Sequence, residues 1–333
     1  MVDRYSAAIV QYMRVNPDEI PDFAERRRVN LARVLASFQS LETWEETIPV
    51  KLTVFPENIL RHEYDEADPR QDQKMRVASA IEMPGPETDA IAGMAKKWNT
   101  YVSASLHERD PEFPDYYFNT AFIMNPKGQI VLKYRKINPW IPLELTTSPH
   151  DVIDTYKAPL FPVAKTELGN LACMVCYDQF FPEVARQLAF NGAEVILKPT
   201  VFPPYPQELM FDPYDWYTTV NKMRSIENMV YGVNANEAKY GNSMIIDFMG
   251  RPLAIAAKGH QMTIGAVIDV DELREYRKTT KLHNTLQQSR NECYTYLQKP
   301  MWPKNKPLLR KKDYVEWAPK TILESRDDVT STS

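Results

Sequence analysis

Glycine is scarce in this chain, with ten in 333 residues. Loops that cradle phosphate need glycines close together, so no nucleotide cofactor is expected. Cysteine is scarcer still, at three. An odd, low count argues against a disulfide framework and fits thiols kept reduced in a cytoplasm. Neither sign of charge dominates: 40 basic side chains face 44 acidic ones, for a formal net charge of -4. Without a basic stripe, nucleic acid is excluded as the main partner. No apolar run approaches the length of a membrane span, so no membrane partner is expected. The opening "MVDRYSAAIVQYMRV" has no charged lead followed by a long apolar stretch and a small-residue cleavage site. We therefore expect no signal peptide.

Hydrophobic residues, by contrast, make up 44% of the chain, enough for a sizeable core. Strand-like and helix-like segments alternate along it, which reads as α/β or α+β. "YSAAIVQY" (5–12), "VKLTVF" (50–55) and "YVSASL" (101–106) are strand candidates. Helical spacing marks 21–41, where Phe23, Val29, Leu31, Val34, Leu35 and Phe38 fall near one face. A second helix, 86–101, opens on proline and acids. "FNTAFIMNPKGQIVLKYRK" (118–136) reads as a hairpin whose "NPKG" suits a type I turn. The second half repeats the scheme: strands at 170–176, 193–199 and 230–238, helices at 182–192 and 212–229, then strand, glycine turn, strand at 242–258. Each half thus runs strand, helix, strand, hairpin, and a pseudo-repeat of this kind implies two similar layers packed together. The expected fold is α+β, a four-layer α-β-β-α sandwich over residues 1–277. A polar, proline-bearing extension follows at 278–333 and is expected to act as an oligomerisation arm.

Four stretches just past strand ends carry groups able to do chemistry. "TVFPENIL" holds Glu57, "KYRKINPW" holds Lys136 and Trp140, "PWIPLEL" holds Glu144, and "CMVCYDQFFPEVAR" holds Cys176. Each alone has an ordinary reading: a solvated acid, an edge cation, a buried small hydrophobe. Cys173 lies inside an apolar strand and reads as core, so the C-x-x-C spacing does not describe a redox pair. Cys293 and the histidines His62, His107, His150, His260 and His283 lack ligand spacing, so no metal is expected. Together the four groups make chemical sense. A thiol is mostly protonated at neutral pH and needs a base. A carboxylate could take its proton, an ammonium could hold a developing oxyanion, and a second carboxylate could orient lysine or substrate.

These stretches, in this order, resemble the nitrilase superfamily of carbon–nitrogen hydrolases. The resemblance spans roughly residues 5–300 and implies an α-β-β-α sandwich with a Glu-Lys-Cys triad and no cofactor. It implies Glu57 as general base, Lys136 as the lysine, Cys176 as nucleophile, and the Tyr177 amide beside Lys136 in an oxyanion hole. "KYRKINPWIPLE" resembles the aliphatic amidase and formamidase branch, which implies a substrate-positioning role for Glu144 and a pocket role for Trp140. The resemblance also implies a small amide substrate and a homo-oligomer of at least two chains. Three departures from that branch imply a different pocket mouth: "ELTTSPHDV" after Glu144, Asn58 after Glu57, and Gln179 where glycine is usual. The expected reaction is hydrolysis of a carboxamide to acid and ammonia through a cysteine thioester. The alternatives are an N-carbamoyl-amide hydrolase or nitrilase on the same triad, and a catalytically silent interaction protein with the same fold.

Overall fold

The computed structural model describes residues 1–15, 17–44, 48–61, 72–140, 144–202, 213–298 and 304–305. The first half contains β1 (Tyr5–Gln11), α1 (Phe23–Ser37), β2 (Val50–Val54), α2 (Gln73–Ser79), α3 (Pro86–Trp98), β3 (Tyr101–Arg109), β4 (Tyr117–Met124) and β5 (Ile130–Arg135). The second contains β6 (Val163–Thr166), β7 (Gly169–Cys173), α4 (Pro182–Phe190), β8 (Val195–Pro199), α5 (Pro213–Asn228), β9 (Tyr231–Ala235), β10 (Met244–Ile246) and β11 (Pro252–Ile255). The chain then adds β12 (Met262–Ile268) and α6 (Val270–Thr279).

Two six-stranded sheets result, ordered β12-β1-β2-β3-β4-β5 and β11-β10-β9-β8-β7-β6. They obey one plan. Three central strands run parallel, a hairpin continues antiparallel on one side, and an antiparallel strand closes the other. Each half carries the two helices and three strands read from its sequence before its hairpin, one helix and one strand more than the short scheme strand, helix, strand, hairpin. β6, β12, α2 and α6 are additions to the sequence reading. β12 returns to pair with β1 in full register, Tyr5 opposite Ile268 and Gln11 opposite Met262. Local patterning carries no trace of that pairing, because its partner lies at the other end of the chain.

Side-chain alternation explains the layers. On β1, Tyr5, Ala7 and Ile9 face the second sheet, where they meet Leu171, Leu197 and Val233 in one core. Ala8 and Val10 point the other way, into a core with Val34 of α1 and Ile91 and Ala95 of α3. Such strands are buried on both faces, which is why they read as nearly continuous apolar runs. On the far side, Val184, Ala185 and Leu188 of α4 are continuous with that core, and α5 packs over β9 and β10. The order is helix, sheet, sheet, helix.

Local signals act as elementary chemistry requires. Asp22 caps α1 by accepting from Glu25 N, and Pro86 and Pro182 each occupy the first helical turn. In the β4–β5 turn, Gly128 N donates to Asn125 O at 2.8 Å. Gly128 takes φ +77°, and a Cβ there would lie 2.7 Å from Lys96 Cε and 2.9 Å from Ala92 Cβ. Only glycine fits that approach. Among the described residues, no helix is long and apolar enough to cross a membrane. Of the extension, Asn284 is buried and Leu286 packs against the main core, whereas Leu282, Tyr294 and Leu297 are exposed. Trp302, Leu308, Leu309, Tyr314 and Trp317, also expected to belong to the arm, lie outside the described residues.

Candidate active site

The strand ends converge. Glu57 follows β2, Lys136 follows β5 directly, and Val201 follows β8. Cys176 stands three residues beyond β7, in a 3-10 turn, Cys176–Phe180, that leads into α4. The expected strand over 170–176 therefore ends early, at Cys173. The change of direction falls on Cys176, which takes φ +43°. A non-glycine residue in that region costs on the order of 1–3 kcal/mol, so the surroundings must hold it there.

Lys136 Nζ sits between two carboxylates, 2.9 Å from Glu57 Oε1 and 2.5 Å from Glu144 Oε2. All three side chains are buried. Burial disfavours the ammonium, but Glu144 and Glu57 outweigh it and hold the Lys136 pKa well above its usual value. Each carboxylate is further satisfied. Glu57 accepts from Asn119 Nδ2 at 2.7 Å and Val201 N at 2.9 Å. Glu144 accepts from Asn119 Nδ2 at 2.9 Å, Trp140 N at 2.9 Å and Thr146 Oγ1 at 2.8 Å. Paired and hydrogen-bonded charges of this kind tolerate a dry site.

The Cys176 thiol is buried beside this cluster and donates to Val201 O at 3.4 Å. Burial, together with the charge and hydrogen bonding of Glu57, pushes its pKa well up, while Lys136 pulls the other way. At rest the group is a neutral thiol with a carboxylate at hand. Cys173 differs: it faces the inter-sheet core, 3.7 Å from Ser103 Oγ, and burial lifts it to about 12.

Of the residues singled out, Glu57, Lys136, Glu144 and Cys176 stand together. Trp140 joins them through its backbone, which exchanges two 2.9 Å hydrogen bonds with Glu144. The residue as a whole is half-buried. Tyr177 lies next to Cys176 with its ring against Phe180 and Phe181, at 5.5 and 5.4 Å between centroids. The sequence reading missed Asn119, which bridges the two glutamates. Its signal was a lone amide inside the apolar run "FNTAFIM". It also passed over Asp178, whose buried carboxylate accepts from Tyr134 Oη at 2.7 Å, Asn138 N at 2.9 Å, Asn138 Nδ2 at 3.0 Å and Val175 N at 3.1 Å. Asp178 thereby ties the cysteine turn to the segment that carries Lys136. Burial raises it to about 6 even though Lys136 and these donors pull it down. No group of three histidine, cysteine or carboxylate side chains able to hold a metal ion occurs among the described residues.

Comparison with known proteins adds a second line. The family model for carbon-nitrogen hydrolase matches residues 6–278. The formamidase of Bacillus cereus strain Q1 is 35% identical over 187 residues, covering 54% of this chain and 51% of that protein. That of Bacillus thuringiensis strain Al Hakam is 34% identical over the same length. The chain thus spans about half the length of the curated relatives it matches. Among solved structures, a carbon-nitrogen hydrolase from Helicobacter pylori G27 superposes with TM-score 0.73 at 19% identity, covering 89% of this chain and 99% of that one. An amidase from Nesterenkonia sp. gives TM-score 0.63 at 18% identity, covering 89% and 98%. At such identities the likeness speaks to the fold alone, and the fold agrees with the sandwich described above.

Proposed function

The chain belongs to the carbon-nitrogen hydrolase family, and from that premise we propose that it is an amidase. It splits a short carboxamide into carboxylic acid and ammonia. One observation carries the reading: a buried ammonium clasped by two carboxylates, at 2.9 and 2.5 Å, beside a buried thiol on a strained turn. A scaffold protein has no use for that arrangement, since a buried ion cluster contributes little to stability that packed hydrophobes would not.

The chemistry follows from the protonation states. Glu57 takes the Cys176 proton as sulfur attacks the amide carbon, so charge moves from the base to the carbonyl oxygen. Lys136 and the backbone N–H of Tyr177 hold that oxyanion. The intermediate collapses, the carbon–nitrogen bond breaks, and Glu57 returns its proton to the departing ammonia. A thioester remains on Cys176. Water then attacks it, Glu57 again accepting a proton, and collapse releases the acid while Cys176 recovers its hydrogen. Glu144 keeps Lys136 charged and positioned throughout and presents a carboxylate to the amide nitrogen. No step calls for a metal or a nucleotide.

The test is a panel of short amides, N-carbamoyl compounds and nitriles, with ammonia and acid both measured. Short amides turn over faster than the matching nitriles or N-carbamoyl amino acids; faster turnover of nitriles would overturn the amidase reading while leaving the cluster's chemistry standing. Turnover is also expected to survive exhaustive chelation; loss restored by added metal contradicts the mechanism.

A further inference from the structure

Behind the cysteine turn lies a second lysine that the mechanism above does not use. Lys198 is the fourth residue of β8, is fully buried, and points into the layer between the second sheet and α5. No carboxylate is hydrogen-bonded to it among the described residues. Instead its Nζ donates to two amide oxygens, Gln179 Oε1 and Asn221 Oδ1, and stands 4.6 Å from the centroid of the Tyr217 ring. Gln179 belongs to the Cys176–Phe180 turn; Tyr217 and Asn221 are one helical turn apart on α5. Asn221 is itself oriented, donating through Nδ2 to Tyr217 O at 2.8 Å.

We propose that Lys198 is a positioning residue, an internal clamp that fixes the turn carrying Cys176 to helix α5. The inference rests on the reading of Cys176 as nucleophile and goes beyond it. Cys176 needs such a device because its backbone sits at φ +43°. On the front, Asp178 anchors the turn to Tyr134 and Asn138. On the rear, the Phe180 ring packs on Phe202 and on Trp216 of α5, and the polar ties described run through position 179: Lys198 binds its side chain, and Arg224 Nε binds its carbonyl at 2.8 Å. Gln179 stands where the amidase branch usually has glycine. A glycine there would leave Lys198 nothing to hold on the turn, so the two residues work as a pair.

The surroundings fit a group kept for its hydrogen bonds rather than its charge. Burial depresses the Lys198 pKa well below its usual value, against the pull of Cys176, and the Arg224 guanidinium depresses it further while Glu57 opposes. An amine with two N–H bonds matches the two amide oxygens. A buried lysine bound only to neutral acceptors is otherwise costly to keep.

The test uses the full chain with Lys198→Met, which keeps the length and removes the donors, with Gln179→Leu, and with both together. Misplacing a reacting group by about 1 Å costs on the order of 100-fold. Lys198→Met should therefore lower kcat by roughly tenfold to 100-fold, with KM within about threefold, and slow iodoacetamide alkylation of Cys176 in parallel. The double variant should be no slower than the worse single one, because both changes cut the same clamp. A folded Lys198→Met with unchanged kcat and unchanged Cys176 alkylation overturns the proposal, as does strict additivity in the double variant. Should Lys198→Met fail to fold, Asn221→Leu cuts the helix end of the clamp. Lower kcat at steady KM then supports it, and wild-type kcat with wild-type alkylation overturns it. Alkylation is read by peptide mass spectrometry without turnover. Activity surviving in Cys176→Ala would sink the nucleophile assignment, whereas the alkylation rate judges the clamp by itself.

Discussion

Two cysteines three apart have opposite fates here, and the difference is a matter of which way each side chain points. Cys173 faces the inter-sheet core; Cys176 faces the carboxylate–lysine cluster. Cys176→Ala is expected to abolish turnover in a protein that still folds. Cys173→Ala is expected to keep turnover and lose about 0.5–3 kcal/mol in urea unfolding, the usual range for a trimmed buried residue. Alkylation separates them a second way. An acid whose pKa is raised stays protonated, so the Cys176 thiolate fraction should climb about tenfold per pH unit from neutrality with no plateau below pH ~9. Cys173, lifted to about 12, should stay unlabelled, and exposed Cys293 serves as the reference for reagent. A plateau for Cys176 near neutral pH would mean a standing thiolate–lysine pair, contrary to the direction of its shift. In the mechanism we propose, Lys136→Met removes an oxyanion donor, so kcat should fall by about 100- to 1,000-fold.

At the scale of the element, the site depends on strand ends being held in register across two sheets. Arg14, just past β1, does much of this. It binds Glu237, beyond β9, through Nε at 3.0 Å and Nη2 at 2.9 Å. Its Nη1 also donates to the carbonyls of Asn58 and Arg61, the loop that carries Glu57. Removing one partner of a buried pair leaves an uncompensated charge, at a cost of about 3–5 kcal/mol. Arg14→Met should therefore lower the unfolding free energy by that amount and reduce kcat, since Glu57 loses its backing. A denaturation midpoint equal to wild type would show that the pair does not brace the strand ends.

For the whole molecule, the open question concerns the extension. Leu282, Tyr294 and Leu297 are exposed at 83%, 49% and 58%. Solvated coils seldom carry so many large apolar groups, and tyrosine is favoured at interfaces. We propose that the segment packs across a neighbouring subunit, making a homo-oligomer. Because Asn284 and Leu286 still engage the sandwich, a chain cut after Gln288 is the informative truncation. Light scattering should report an assembly for the full chain and a smaller one for the cut chain. A monomeric full chain, or a cut chain of unchanged assembly size, rules the arm out.

Much of this architecture was open to reading before folding. Periodicity, proline at helix starts and "NPKG" at the first hairpin marked the elements, because these signals act within a few residues of themselves. The recurrence of one scheme in two halves pointed to two packed sheets. Likewise, four chemically able side chains stood at strand ends, where α/β chains present functional groups. Other features were decided only by distant neighbours. β12 closes the first sheet by pairing with a strand some 250 residues away, and no local pattern encodes that partner. Asn119 reads as an interruption in a strand until two glutamates, from opposite sides of the sequence, converge on its amide. Lys198 lies within the strand expected at 193–199, and nothing local shows that Gln179 and Asn221 meet at its tip beneath α5. The physical reason is the same in each case. Secondary structure is written in short-range sterics and patterning, whereas the protonation state and partner of a buried polar group depend on which remote segments exclude water from it.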